Sequence, residues 1–178
     1  VKNKMISVCA GPAEQAAQMI ATSMRKGGKL MLCGNGGSAG DSQHLAAEFV
    51  ATLDHTKPRS GLPALSLTTD TSFLTAYAND FGFEGVFARQ VEALGQPGDV
   101  LLGISTSGNS KNVLAAAKAA KDNQISVIAF TGETGGQLAD FADLLVAIPS
   151  RIIMHIQECH IALGHAITAR VETLLSEK

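Results

Sequence analysis

Two short stretches of the sequence are rich in glycine and hydroxyl side chains, and each follows a short apolar run. The first contains Asn35, Gly36, Gly37 and Ser38. The second contains Ser105, Thr106, Ser107 and Ser110. Small residues allow backbone N–H groups and hydroxyls to converge on an anion, and a helix N-terminus adds a partial positive charge. Together, the two loops predict a binding site for a phosphate group.

Each loop also fits other interpretations. Taken alone, it can be a turn with capping residues, Ser110 being an ordinary helix N-cap. The first loop matches a loose dinucleotide fingerprint, Gly34-x-Gly36-x-x-Ala39, with Asp70 as the candidate ribose acceptor. It also matches a nucleophile elbow, Gly36-x-Ser38-x-Gly40, although that motif normally follows a strand deep in a larger sheet. Neither motif explains the second loop, so we favour an anion site.

A second group of residues offers acid–base or metal chemistry. His44 and Glu48 are four residues apart and share one face of the helix predicted after the first loop. They can deprotonate a substrate, supply two ligands to zinc, or form an ordinary surface pair. The last helix offers Gln157, His160 and His165, and spacing does not choose between the two histidines. For either one, the default is an interior histidine bonded to a backbone carbonyl.

Five apolar runs, each closed by turn residues, supply the elements that position these groups. The predicted strands cover residues 29–33, 64–67, 100–104, 125–130 and 144–148. The predicted helices cover residues 13–24, the segment after the first loop, a mixed stretch ending at 94, 112–121, a short helix around 138, and 156–175. Strands that alternate with helices imply right-handed crossovers and a parallel sheet covered on both faces.

We therefore predict a three-layer, doubly wound α/β fold with a five-stranded parallel sheet in the flavodoxin-like order 2-1-3-4-5. Ligands of such sheets bind at the switch point, here between strands 1 and 3, and this order sets the two loops side by side. The 178 residues suit a single domain, with an N-terminal helix and a long C-terminal helix.

Composition excludes several other classes of function. The net charge is -2 without a long run of one sign, and the aromatic content is 4%, so we expect no nucleic-acid partner. Cys9, Cys33 and Cys159 are widely spaced and lack a Cys-x-x-Cys pair, which argues against disulfides and a cysteine-rich zinc site. No apolar run approaches the roughly 20 residues that span a bilayer. We expect a cytoplasmic protein without membrane contact.

Taken in order, six motifs resemble the sugar isomerase (SIS) domain family. They lie at residues 33–38, 43–48, 67–70, 79–83, 98–110 and 156–158, and the match runs from about residue 27 to the last helix. Within that family, the sequence is most similar to members that convert sedoheptulose 7-phosphate to D-glycero-D-manno-heptose 7-phosphate for lipopolysaccharide synthesis. The resemblance implies the same fold and an aldose–ketose isomerase activity.

The resemblance also implies roles for individual residues. Substrate contacts would come from Asn35, Gly36, Gly37, Ser38, Asn79, Asp80, Ser105, Thr106, Ser107, Ser110 and Gln157. A zinc ion would be held by His44, Glu48, Gln157 and His165. Glu48 and His165 would be the acid–base pair, which selects His165 over His160. The implied assembly is a cytoplasmic homotetramer with active sites between subunits.

The alternative within the same family is a non-catalytic adaptor that binds sugar phosphate and acts in replication initiation. The known adaptor lacks the glutamate and the final histidine, whereas this chain keeps Glu48 and His165. Thr52 and His155 stand where relatives commonly have arginine, and residues 151–154 are unusually apolar. The resemblance therefore defines the reaction type more closely than the sugar.

Overall fold

Residues 1–176 are described by a computed structural model. They contain a five-stranded sheet in the order β2-β1-β3-β4-β5, and all neighbouring strands are parallel. The strands are β1 (Leu30–Gly34), β2 (Ala64–Ser66), β3 (Val100–Ile104), β4 (Ser126–Thr131) and β5 (Leu144–Ala147). The predicted fold and strand order are confirmed.

Helices connect the strands and cover both faces of the sheet. They are α1 (Lys2–Arg25), α2 (Gly37–Val50), α3 (Thr71–Phe81), α4 (Ala88–Leu94), α5 (Lys111–Asp122) and α6 (Ile153–Ser176). Two 3₁₀ segments follow α3 and β4, at Phe83–Gly85 and Gly136–Phe141. Within the described residues, none of the helices is both long and apolar enough to cross a membrane.

Successive side chains of the central strands pack into two separate hydrophobic cores, one on each face of the sheet. Leu30 and Leu32 of β1 pack with side chains of α1, α2 and α6 on one face of the sheet. Met31 and Cys33 pack with α4 and α5 on the other. Successive side chains of a strand point to opposite faces, and both faces are covered here, so β1 and β3 are apolar throughout.

The first helix is longer than the sequence pattern predicts. The prediction covered residues 13–24, where apolar residues recur at helical spacing. Pro12 precedes them, and a proline inside a helix removes an N–H donor and crowds the preceding turn. In the structure α1 begins at Lys2 and continues through Pro12. Met5 and Cys9 are buried in the core beside α6, and the Cys9 thiol contacts the carbonyl of Ala147 at 3.4 Å. Packing of this half of α1 therefore outweighs the local cost of the proline.

Candidate active site

The two small-residue loops lie next to each other at the carboxyl edge of the sheet. Gly34, the last residue of β1, is the register partner of Ile104, the last residue of β3. Just beyond them, the Asn35 amide donates to Oδ1 of Asn112 at 2.8 Å, and the Asn112 amide donates back to Oδ1 of Asn35 at 2.9 Å. This reciprocal pair ties the first loop to the first turn of α5.

The second loop gathers hydroxyl groups at the start of α5. Oγ of Ser105 lies 3.0 Å from Oγ of Ser110 and 3.5 Å from Oγ of Ser107. Ser110 occupies the N-cap position of α5, yet its side chain makes no capping hydrogen bond. Thr106 follows Ser105, and its carbonyl accepts from the N–H of Gly132 at 3.0 Å, which fixes the loop against the end of β4. The hydroxyls thus form a cluster at a positive helix end.

The first loop opens α2 in a tight turn. Gly36 has φ +55 and occupies the N-cap position, so the chain uses a conformation that favours glycine. Ser38 is buried in the first turn, and its N–H donates to the carbonyl of Asn35 at 3.0 Å. The Asn35 side chain is engaged with Asn112. The helix N-terminus and the glycine backbone at 36–37 are therefore the parts of this loop that can approach an anion.

Helices α2 and α6 bring two histidines and a carboxylate together. Nε2 of His44 lies 2.7 Å from Nε2 of His165 and 3.5 Å from Oε1 of Glu48. The three ligand atoms all lie within 4.8 Å of one another. The helical spacing predicted that His44 and Glu48 share a face, and α6 places His165 opposite them. We call these three residues the α2–α6 cluster.

A glycine on α6 allows this close approach of the helices. A Cβ at Gly164 would lie 2.6 Å from Cδ1 of Leu45, which is closer than packed carbon atoms can come. Gly164 precedes His165 in the sequence, and Leu45 follows His44. This close contact between the two helices is therefore adjacent in sequence to both histidines.

Asp41 and Gln157 join the α2–α6 cluster to the first loop. Nε2 of Gln157 donates to Oδ1 of Asp41 at 2.7 Å, and a Cβ at Gly37 would lie 3.5 Å from Cγ of Gln157. Burial raises the pKa of Asp41, opposed by the Gln157 hydrogen bond and by the charges of His44 and His165. Oδ2 of Asp41 is buried and has no hydrogen-bond partner among the described residues. The sequence analysis did not select Asp41, although it precedes His44 by three residues.

The chemistry of the α2–α6 cluster suits a zinc ion. Two imidazole nitrogens and one carboxylate oxygen form the ligand set of many catalytic zinc sites, which keep a fourth position open. The side chains are accessible, with 47% exposure for His44 and 21% for Glu48. The polar side chain of Gln157 lies nearby through its bond to Asp41. The residues present therefore fit a catalytic metal.

Comparison with known proteins identifies the family. The sequence model of the SIS domain matches residues 2–132. The phosphoheptose isomerase of Roseiflexus sp. (strain RS-1) is 51% identical over 178 residues, which cover 100% of this chain and 89% of that protein. The phosphoheptose isomerase of Aquifex aeolicus (strain VF5) is 49% identical over 178 residues, covering 100% of this chain and 92% of the relative. The chain belongs to the SIS domain family, among its phosphoheptose isomerases.

Solved structures of the phosphoheptose isomerase family agree with this fold. The enzyme from Neisseria gonorrhoeae has a TM-score of 0.91 and 45% identity, with coverage of 97% of this chain and 91% of that one. The enzyme from Francisella tularensis has a TM-score of 0.92 and 36% identity, with the same coverage. The likeness to the family therefore extends over nearly the whole chain.

The structure separates the two histidines that helical spacing left open. His160 is fully buried, its Nε2 donates to the carbonyl of Thr131 at 3.0 Å, and its ring packs on Phe130. Burial lowers the pKa of His160 to about 4. His160 is therefore a neutral core residue, whereas His165 faces His44 and Glu48, as the family resemblance implied.

Two residues predicted to contact the substrate, Asn79 and Asp80, lie apart from the two loops and the α2–α6 cluster. Asn79 and Asp80 are exposed on the last turn of α3, where the Asn79 amide donates to Oδ1 of Asp80 at 2.8 Å. Phe81, the next residue, lines the cleft that also contains Asn35 and Ser110. Within this chain, Asn79 and Asp80 are therefore near the rim of the cleft.

The candidate ribose acceptor has a structural role. Oδ1 of Asp70 accepts from the N–H of Phe73 at 2.9 Å, and Asp70 is the N-cap of α3. The Asp70 carboxylate accepts a capping hydrogen bond at the start of α3, so the dinucleotide interpretation has no support from this residue as a ribose acceptor. The first loop instead lies beside the second loop at the carboxyl edge of the sheet.

Proposed function

We propose that this chain isomerises sedoheptulose 7-phosphate to D-glycero-D-manno-heptose 7-phosphate. Relatives that are 51% and 49% identical over the full length of the chain are phosphoheptose isomerases. The observation that carries the proposal is the α2–α6 cluster of His44, Glu48 and His165. Gln157 donates to Asp41, which is on the same helix as His44, and it lies beside Gly37 of the first loop. A site of this kind holds the phosphate at one end of a sugar and reacts at the other.

The phosphate at C7 binds between the hydroxyls of the second loop and the N-terminus of α2. Ser105, Ser107 and Ser110 offer hydroxyl donors there, and α5 adds its positive end. The phosphate is remote from the reacting carbons, and its binding energy orients C1 and C2 toward the α2–α6 cluster. This orientation accelerates the reaction.

Isomerisation moves one proton between two carbons and another between two oxygens. Glu48 takes the proton from C1 of the ketose while His165 protonates the oxygen at C2, which gives an enediol. Glu48 then returns a proton to C2 while His165 removes the proton from the oxygen at C1, which gives the aldose. Each acid–base group contributes about 10² to 10⁴ in rate.

We propose that zinc is bound by His44, Glu48, Gln157 and His165, three of which already form the α2–α6 cluster. As a Lewis acid, a bound zinc ion would stabilise negative charge that develops on the substrate oxygens. Metal binding weakens a carboxylate as a base and requires a deprotonated imidazole nitrogen, so the metal and proton-transfer roles of Glu48 and His165 alternate or belong to different states. Along α6, Gln157 and His165 are about 12 Å apart, since each residue rises 1.5 Å, so their side chains must lean together to serve one ion.

We also propose a cytoplasmic homotetramer with active sites between subunits. None of the side chains of α3 is buried within the single chain, and Phe81, Phe83 and Ile6 are exposed. Asn79 and Asp80 lie at the rim of the cleft, where a neighbouring subunit can bring further groups to the substrate. The molar mass by light scattering tests the assembly.

Conversion of sedoheptulose 7-phosphate by the purified, zinc-loaded protein tests the activity. For Glu48→Gln we expect kcat to fall by about 10² to 10⁴ with KM nearly unchanged, because the amide cannot accept the carbon-bound proton. Glu92→Gln, an exposed position on α4, is the control and should match the wild type. A wild type that binds the sugar phosphate without converting it would support the adaptor alternative instead.

A further inference from the structure

Arg59 lies in the loop between α2 and β2 and is engaged through all three guanidinium nitrogens. Nε donates to Oε1 of Glu172 at 2.8 Å, and Nη2 lies 2.7 Å from the same oxygen. Nη2 also donates to the carbonyl of Glu48 at 2.9 Å. Nη1 donates to the carbonyls of Phe49 and Ser60 at 2.9 and 3.0 Å. One planar side chain thus joins a loop, the end of α2 and a carboxylate of α6.

These contacts cap the carboxyl end of α2. Glu48 and Phe49 are among the last four residues of the helix, whose carbonyls have no intrahelical N–H partner. A guanidinium cation at this end also complements the negative end of the helix dipole. Glu172 extends the cap, because its Oε1 accepts from the N–H of Leu53 at 3.1 Å. Arg59 and Glu172, which we call the clamp, therefore fix where α2 ends.

The clamp connects the same two helices that carry the α2–α6 cluster. On α6, Glu172 follows His165 by two helical turns, so both project from one face about 10 Å apart. Arg59 donates a hydrogen bond to the backbone carbonyl of Glu48, which is on α2. The side chains of Arg59 and Glu172 are only 17% and 13% exposed, so their attraction is less screened than that of a surface pair.

We propose that Arg59 is a positioning residue of the active site. Through Glu172, it holds the end of α2 against α6 and so sets the distance between Glu48 and the two imidazoles. Gly164 and Leu45 fix the helices on the other side of His165, and the clamp fixes them beyond Glu48. The inference rests on the proposed function, because the spacing matters through metal binding and proton transfer.

The test is Arg59→Lys in the full chain. Lysine keeps the charge but has three donors on one atom and no planar fork, so it cannot reach both carbonyls of α2 and Glu172 together. We expect zinc affinity, measured by competition with a chelator, to fall by at least about tenfold, as is typical when groups that orient metal ligands are lost. The value of kcat should fall, whereas KM should stay near the wild-type value, since the two small-residue loops lie at the N-termini of α2 and α5, at the opposite end of α2 from the carbonyls that Arg59 contacts.

Arg170→Lys is the matched control. Arg170 makes a forked ion pair with Glu14, which links α6 to α1. The zinc affinity of the Arg170→Lys variant should equal that of the wild type even if the melting temperature of the variant falls. Glu172→Gln is a milder second variant that keeps an oxygen acceptor, and its zinc affinity should lie between those of the wild type and Arg59→Lys.

Wild-type zinc affinity and kcat in Arg59→Lys would overturn the inference, and so would equal losses of affinity in Arg59→Lys and Arg170→Lys. In both cases the wild type would still bind zinc and convert the sugar, and the proposed function would stand. A wild type that does neither would overturn the proposed function, and the inference with it.

Discussion

Two histidines of α6 that are five residues apart occupy opposite environments. Five residues turn a helix by about 140°, so His160 faces the sheet when His165 faces α2. His160 gains a carbonyl partner in Thr131 and loses all contact with water. His165 remains partly exposed beside His44. The same residue type is therefore part of the core at one position and available for chemistry at the other.

The buried position predicts how stability depends on pH. The pKa of His160 falls from 6.5 in the unfolded chain to about 4 in the folded protein, because burial disfavours the charged ring. Between those values the unfolded chain binds more protons, so the wild type loses stability as the pH falls. At pH 5 this contribution amounts to about 2 kcal/mol.

His160→Gln removes this dependence while it keeps an N–H donor for Thr131. Urea unfolding at pH 7 and pH 5 should show a smaller loss of unfolding free energy for the variant than for the wild type, whatever the offset at pH 7. Parallel pH profiles for the two proteins would contradict a neutral, buried His160.

At the scale of elements, the spacing of α2 and α6 determines the α2–α6 cluster. Gly164→Ala introduces a methyl group 2.6 Å from Leu45, so the helices must separate or Leu45 must leave its rotamer. Overpacking of this kind costs about 1–3 kcal/mol. We expect a lower unfolding free energy and a weaker zinc affinity, measured by denaturant unfolding and chelator competition, since His44 and His165 are adjacent to the contact.

Gly40→Ala is the control for the glycine variant. Gly40 lies on the exposed side of α2, and a Cβ there meets nothing within 4 Å. Alanine at an open helical position should stabilise the protein by about 0.5–1 kcal/mol and leave zinc affinity unchanged. If Gly164→Ala behaved in the same way, close helix packing would not be what sets the cluster.

The elements were predictable wherever local pattern and burial agree. The limits of β3 match the predicted residues 100–104, because both faces of a central strand are covered and the whole strand is apolar. The start of α1 was wrong by eleven residues, because the contacts of Met5 and Cys9 that stabilise its first half come from distant parts of the chain. The limits of the other strands differ from the predicted ones by at most one residue at each end, as is common at element ends.

The residues of the candidate site also divide into those that local sequence patterns predicted and those that depend on distant contacts. The two loops and the His44–Glu48 spacing are local patterns, so the sequence alone pointed to them. Asp41, Arg59 and Asn112 were missed. Each acts through a partner far away in the chain, at separations of 116, 113 and 77 residues. Only the fold brings such partners together, and the periodicity of apolar residues in the sequence does not predict these contacts.

At the scale of the whole molecule, the site depends on a junction between the two halves of the sheet. The first loop follows β1 and leads into α2 and the α2–α6 cluster, whereas the second follows β3 and leads into α5. The Asn35–Asn112 pair joins them directly, and Asn112 is only 4% exposed. A parallel sheet fixes the strand ends, and the Asn35–Asn112 bonds fix the distance between the loops above it, on which the proposed phosphate site relies.

Asn112→Ala should therefore affect binding more than chemistry. The substitution removes two hydrogen bonds and leaves the Asn35 amide without its partner, which costs about 1–3 kcal/mol of stability. We expect KM for sedoheptulose 7-phosphate to rise by roughly tenfold, the equivalent of about 1.4 kcal/mol of binding, because the loops no longer converge. The value of kcat should change less, since Glu48 and His165 lie on α2 and α6, which the clamp and the contact at Gly164 hold together.

Asn123→Ala tests whether the junction, and not any asparagine of α5, is responsible. Asn123 lies at the opposite end of the same helix, where its amide donates to the carbonyl of Ala119 at 2.8 Å. Its loss should lower stability without changing KM, because that end of α5 is remote from both loops. An equal rise of KM in both variants, or a fall of kcat alone in Asn112→Ala, would show that the anion site does not depend on the bond between the two halves of the sheet.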